Sequence, residues 1–319
     1  MSTKARHAKG RATVKRASPK KAAAKKAPWY AVLTRPKHRR PIEEHTPAQA
    51  AKIRARLSKI PIREGPKKVD DHIYTGVPGF DDLFEQGIPR GSSILVAGGA
   101  GSGKTIFCLQ TIAYGCAHGE KCIYMSFEES EDRLKQHMRN FGWDPEPWIK
   151  KGLLVIKRLN AFDVARSVEA LLAKAQGELL IDFEGIPGLL PRGFKPDRVA
   201  LDSLSAIAAA FAGKEETYRA YISQLFRLLE KLGATSFLIS ETEQVPSIYS
   251  EKGVEEFLAD GVFVLYNLRK DNVRVNAIEV LKLRGAKHEK RVVPFNIIDG
   301  KGMVAYPREE IFTEISGGT

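Results

Sequence analysis

Apolar and polar positions along this chain alternate in blocks that switch between two periods. Short runs that are apolar almost throughout occur at Ser93–Ala97, Cys122–Phe127, Leu153–Ile156, Val199–Asp202 and Ser236–Ser240. Such runs predict strands buried on both faces, as in a parallel sheet. Between them the apolar residues fall three and four apart, the helical period. Helices are predicted from Phe107 through Ala113, around Leu134, His137, Met138 and Phe141 up to Gly142, and from about Val164 to Ala175. A longer one, Tyr218–Leu232, carries Ile222, Leu225, Phe226 and Leu229 on one face. Two further apolar runs, Val262–Tyr266 and Val273–Val280, flank Lys270-Asp271-Asn272 and predict a hairpin whose second strand closes at Lys282–Gly285. Thr75–Phe84 and Gly87–Gly91 predict a turn–helix–turn leading into the first strand. The Gly- and Pro-rich 177–197 predicts an irregular excursion. Strands alternating with helices and then a β-rich end predict an α/β fold: a mostly parallel sheet with antiparallel C-terminal strands.

Charge divides the 319 residues differently. The chain carries +13 overall, yet residues 1–69 hold 21 Lys and Arg against three acidic residues. The remainder is mildly acidic. Residues 1–28 contain ten cations and no acid in a Lys/Ala/Pro background, too little apolar surface to offset ordering entropy. We expect a disordered basic arm over 1–45, able to hold nucleic acid through phosphate contacts; a targeting segment or a solvated tail are the other readings. Trp29–Leu33 forms a small apolar island in it. A connecting helix and linker follow over 46–68, capped by Thr46 and Pro47. The main domain is expected over 69–306, with a tail over 307–319. No apolar run reaches the roughly 18 residues of a membrane span, and no signal peptide is visible. Cys108, Cys116 and Cys122 lack metal-ligand spacing and sit among apolar residues, which suits buried thiols in a reducing compartment, the cytoplasm.

The chemistry centres on Gly98-Gly99-Ala100-Gly101-Ser102-Gly103-Lys104-Thr105, with Ile106 following, which fits the phosphate-loop pattern G-x-x-x-x-G-K-[ST] between a strand and a helix. Glycines let the backbone wrap phosphates closely, and the helix N-terminus attracts the anion. Lys104 is expected on the outer phosphates and the Thr105 hydroxyl on Mg²⁺. Asp202 ends an apolar run 97 residues beyond Thr105, where a second Mg²⁺-holding carboxylate is needed. Glu128 and Glu129 end the strand after the phosphate-loop helix. On spacing alone they serve equally as a base for the attacking water or as an acidic cap on the next helix.

Several segments resemble a KaiC-type domain of the RecA/RadA ATPase superfamily: Thr75-Gly76 to Phe80-Asp81, the phosphate loop, Ser126–Ser130, Asn140–Asp144, Leu201-Asp202-Ser203, Gly253–Asp260 and Lys282-Leu283-Arg284-Gly285-Ala286-Lys287-His288. The resemblance covers about 70–306 and implies a RecA-like core that binds and hydrolyses ATP with Mg²⁺. It implies that Glu128, seconded by Glu129, is the catalytic base. It further implies a hexameric ring in which Lys282, Leu283 and Arg284 contact the neighbouring subunit's nucleotide, with His288 and Asp299 near the base or ribose. The tandem second domain of the clock KaiC protein is missing. Its autophosphorylated Ser/Thr-rich stretch has no counterpart, since this chain reads Ala259-Asp260-Gly261-Val262-Phe263. A circadian oscillator role is therefore not implied. Two alternatives stand beside the ring ATPase: a nucleotide-gated scaffold for a signalling or motility partner, and a RadA-type DNA-transaction ATPase.

Overall fold

The computed structural model describes residues 71–309 apart from 175–189, 192, 245, 247, 251–252 and 271–272. The basic arm, the connecting helix, the C-terminal tail from 310 and most of the 177–197 excursion lie outside the described residues. The parallel strands are β3 (Ser93–Gly98), β4 (Cys122–Ser126), β5 (Leu154–Arg158), β6 (Arg198–Asp202), β7 (Thr235–Glu241) and β8 (Gly261–Lys270). The antiparallel extension is β9 (Val273–Leu283), β10 (Val293–Ile298) and β11 (Gly302–Ala305). Together they make one sheet in the order β11-β10-β9-β8-β3-β7-β6-β4-β5. The expected α/β class, parallel core and C-terminal hairpin are all present.

Helix α1 (Lys104–Ala117) follows β3, then α2 (Glu131–Asn140), α3 (Glu146–Lys150), α4 (Ala161–Lys174), α5 (Leu204–Ala210), α6 (Glu215–Leu232) and α7 (Glu255–Leu258). Neither α3 nor α5 is predicted from the sequence; at five and seven residues they are too short for a period to declare itself. The helix predicted after Thr75 is a single 3-10 turn, Asp81–Leu83, beside a two-residue pairing of β1 (His72–Ile73) with β2 (Ile88–Pro89).

Both faces of the sheet are covered, which is why its central strands are buried at every position. Alternation along β3 sends Ile94 and Val96 to one core and Leu95 to the other. On the first face Phe80, Phe107 and Phe263 meet edge to face, with centroids 5.3–6.2 Å apart. Helix α1 is enclosed between this face and the C-terminal strands. Its buried Gln110 bridges backbone on both sides, donating to Gly76 O and Met303 O and accepting from Met303 N–H at 2.7 Å. Helices α4, α5 and α6 cover the other face. Cys108, Cys116 and Cys122 are free and buried. Among the described residues no helix is long and apolar enough to cross a membrane.

Candidate nucleotide site

Parallel pairing brings strand ends together. Gly98 of β3 stands opposite Glu241 of β7, and Ser126 of β4 opposite Asp202 of β6. The carboxyl edge of the sheet therefore collects residues far apart in sequence, which is where open α/β sheets bind ligands. Gly101 and Gly103 hold φ of 73° and 93°, a region costly for any residue with a Cβ. Gly103 caps α1 in that conformation and turns the loop into the helix. The Lys104 ammonium lies back over the loop and donates to Gly98 O at 2.9 Å and Gly99 O at 3.0 Å. Burial holds it below its ordinary pKa, against the pull of Glu241, Asp202 and Glu128.

Thr105 Oγ1 donates to Asp202 Oδ2 at 3.0 Å, and Tyr124 Oη donates to the same oxygen at 2.7 Å. Burial raises the Asp202 carboxyl to about 6, opposed by those two hydrogen bonds. A hydroxyl and a carboxylate oxygen this close at a helix N-terminus form a hard-oxygen donor pair that suits Mg²⁺. Among the described residues no cluster of three His, Cys, Asp or Glu offers a metal site built from protein alone.

The two adjacent glutamates diverge. Glu128 Oε1 accepts from Ser203 Oγ at 2.8 Å, beside Asp202. Glu129 Oε2 instead takes Arg133 Nε at 3.1 Å and His137 Nε2 at 3.0 Å, both on α2. The structure thus turns only Glu128 toward the phosphate loop. Ile106 lies in the first turn of α1.

The other expected nucleotide contacts do not gather here. Antiparallel pairing of β8 with β9 places Leu283 opposite Gly261, and Gly261 pairs with Ile94 near the start of β3. Lys282 and Arg284 therefore occupy the edge opposite the phosphate loop, a strand length of roughly 16 Å away. Lys282 Nζ donates to Ala259 O at 2.6 Å and Glu256 O at 3.1 Å, and Arg284 Nη2 to Phe257 O at 3.1 Å. The Leu283 side chain is core. His288 bridges Phe84, and both of its ring nitrogens are buried without a partner. Asp299 parts from this group. β10 runs antiparallel to β9, so the turn after Ile298 returns to the phosphate-loop edge. A Cβ on Gly103 would stand 3.3 Å from Ile297 Cδ1, two residues before Asp299. Antiparallel register thus separates two elements that the sequence reading grouped. Four further residues join the site unpredicted: Tyr124, Ser203, Glu241 and Gln244, whose Nε2 donates to Ala100 O at 3.0 Å. Ser203 carried a sequence signal, standing directly after Asp202 in the Leu201-Asp202-Ser203 segment; Gln244 carried none.

A glycine phosphate loop on the central strand, with carboxylates at the ends of its parallel neighbours, defines a P-loop nucleotide-binding protein of the RecA-like class. A profile of the family described as "ATPase: KaiC" matches residues 73–310, and the chain belongs to that family. It is 35% identical over 254 residues to circadian clock protein KaiC3 of Synechocystis, covering 76% of this chain and 47% of that protein. It is 33% identical to a UPF0273 protein of Aeropyrum pernix, covering 74% of this chain and 94% of that one. The chain thus spans about half the length of the clock relative and nearly all of the UPF0273 protein. The crystal structure of a KaiC-like protein from Pyrococcus horikoshii superposes with a TM-score of 0.60 at 30% identity, covering 74% of this chain and 99% of that one. Membership of this family is consistent with ATP binding.

Proposed function

We propose that this chain is a Mg²⁺-dependent ATPase working as a ring of like subunits, with residues 1–45 as an arm that holds nucleic acid. The observation that carries hydrolysis is the convergence of Lys104, Thr105, Asp202 and Glu128 on one sheet edge. The loop N–H groups of Gly99–Thr105 and the N-terminus of α1 take the phosphates. Lys104 leaves its two carbonyls for the outer phosphates. Thr105 and Asp202 would hold Mg²⁺, which when bound neutralises charge on the β- and γ-phosphates. Glu128 accepts a proton as water oxygen bonds to the γ-phosphorus and the bond to the β-phosphate oxygen breaks, leaving ADP and phosphate.

Lys282 and Arg284 cannot reach their own phosphate loop from the far edge, so their action on nucleotide is on a neighbour's. Such a cation in trans contributes roughly 10³–10⁵ in rate elsewhere. Asp299 lies on the chain's own site edge, so we assign it to the chain's own nucleotide; the buried ring nitrogens of His288, on the far edge, leave it without a nucleotide contact in this reading. The deciding measurement is ATPase rate per protomer against protein concentration, with Arg284→Ala alongside. A rate that rises with concentration and collapses in Arg284→Ala is expected. A concentration-independent rate with an active Arg284→Ala refutes the composite site, and absence of turnover in both moves the reading to a nucleotide-gated scaffold.

A further inference from the structure

We propose that Ser203 is the positioning residue for Glu128, an inference that rests on Glu128 being the base. Ser203 is fully buried and stands at the N-cap of α5. Its Oγ accepts the Ala206 N–H at 3.2 Å. A serine hydroxyl has one proton to give. With the helix N–H occupying an acceptor lobe, that proton is directed to Glu128 Oε1, 2.8 Å away. The cap of one helix thereby sets the direction of a hydrogen bond to a carboxylate on another strand end.

The main chain of Glu128 is fixed from a second side. Ser126 Oγ accepts N–H groups from both Glu128 and Glu129, at 3.2 and 2.9 Å, and Phe127 N–H donates to Asp202 O at 2.7 Å. Backbone and Oε1 being held, Oε2 is left for the attacking water. A glutamate free to turn about its last torsion populates many orientations, and misplacement of a reacting group by about 1 Å can cost 10²-fold. Glu129 shows the contrast: its carboxylate is committed to Arg133 and His137 and has no such steering hydroxyl.

The rival account is that Ser203 only starts α5. Glycine separates the two, because it is tolerated at the N-cap but has no hydroxyl. Steady-state ATPase and equilibrium ATP binding are measured on the full chain for Ser203→Ala, Ser203→Gly, Glu128→Gln and the double variant Ser203→Ala/Glu128→Gln. Positioning predicts that Ser203→Ala and Ser203→Gly both lose roughly 10- to 100-fold in kcat, with KM and ATP affinity within about twofold by the same argument that ground-state contacts are untouched. It also predicts that the double variant is no slower than Glu128→Gln, since residues acting as a unit are not additive. Wild-type kcat in Ser203→Gly, or an additive loss in the double variant, overturns the positioning role while leaving the base intact. Full turnover in Glu128→Gln overturns the base assignment itself, and the inference with it.

Discussion

Glu128 and Glu129 are chemically identical neighbours that the fold sends in different directions. One meets Ser203 beside Asp202, and the other lies along α2 with Arg133 and His137. Glu128→Gln should therefore lower kcat by about 10²–10⁴-fold, the usual worth of a positioned base, while retaining ATP binding. Glu129→Gln should change kcat only a few-fold, since its carboxylate is committed to exposed Arg133 and half-buried His137 and such pairs are worth about 0–1 kcal/mol; steady-state kinetics on the pair checks both. Asp81 offers a residue-scale test of pH. Burial raises its carboxyl to about 6, although Thr75 Oγ1, Thr75 N–H and Gly76 N–H all donate to it. A folded pKa above the unfolded one means the folded chain takes up the proton first, so this group favours folding increasingly as pH falls through 6. Wild type should gain melting temperature relative to Asp81→Asn between pH 7 and pH 5; a constant difference between the two would refute this.

At the scale of elements, the start of β6 is held by a buried cation rather than by apolar packing. Arg198, about 1% exposed, pairs with Glu120, donates to Tyr74 O at 2.8 Å and Thr111 O at 3.3 Å, and lies 5.6 Å from the Tyr114 ring centroid. Arg90 makes a second contact to Glu120 at 3.1 Å. This ties β6, α1 and the segment before the phosphate loop at the sheet edge away from the nucleotide. Replacing one partner strands the other, so Arg198→Leu should cost roughly 3–5 kcal/mol in urea unfolding. Retained stability would mean that Glu120 finds water or Arg90 sufficient. A smaller tie of the same kind is Gln110, a buried polar residue of the phosphate-loop helix. Its three backbone contacts join the phosphate-loop helix to β11.

For the whole molecule, charge and topology make separate statements. Residues 1–69 carry the excess cations, while the ATPase family match begins at residue 73. Deleting residues 1–45 should abolish salt-sensitive DNA retention and leave ATP binding unchanged, because counterion release scales with the number of cations contributed. Filter binding across a salt series checks this; an unchanged salt slope in the truncated chain would place the DNA contact elsewhere. Topology bears on assembly. An antiparallel hairpin beside a parallel strand necessarily returns its far end to the opposite edge, so Lys282 and Arg284 are positioned outward from the chain's own site.

Composition and local pattern by themselves determined the phosphate loop, the strand ending in Asp202, the hairpin and the α/β class, and put Glu128 at the end of a strand that closes two residues earlier, at Ser126. Each is a short-range property: a glycine spacing, an apolar run, a period. The sequence resemblance implied a trans role for Lys282 and Arg284, and only strand register places these residues on the edge away from the chain's own phosphate loop. Register likewise moved Asp299 to the other edge from His288, and it turned Glu129 away while Ser203 turned to Glu128. These outcomes depend on which strand pairs with which and in what direction. That is settled by burying two apolar faces at once, and it is not encoded in the neighbours of any single residue.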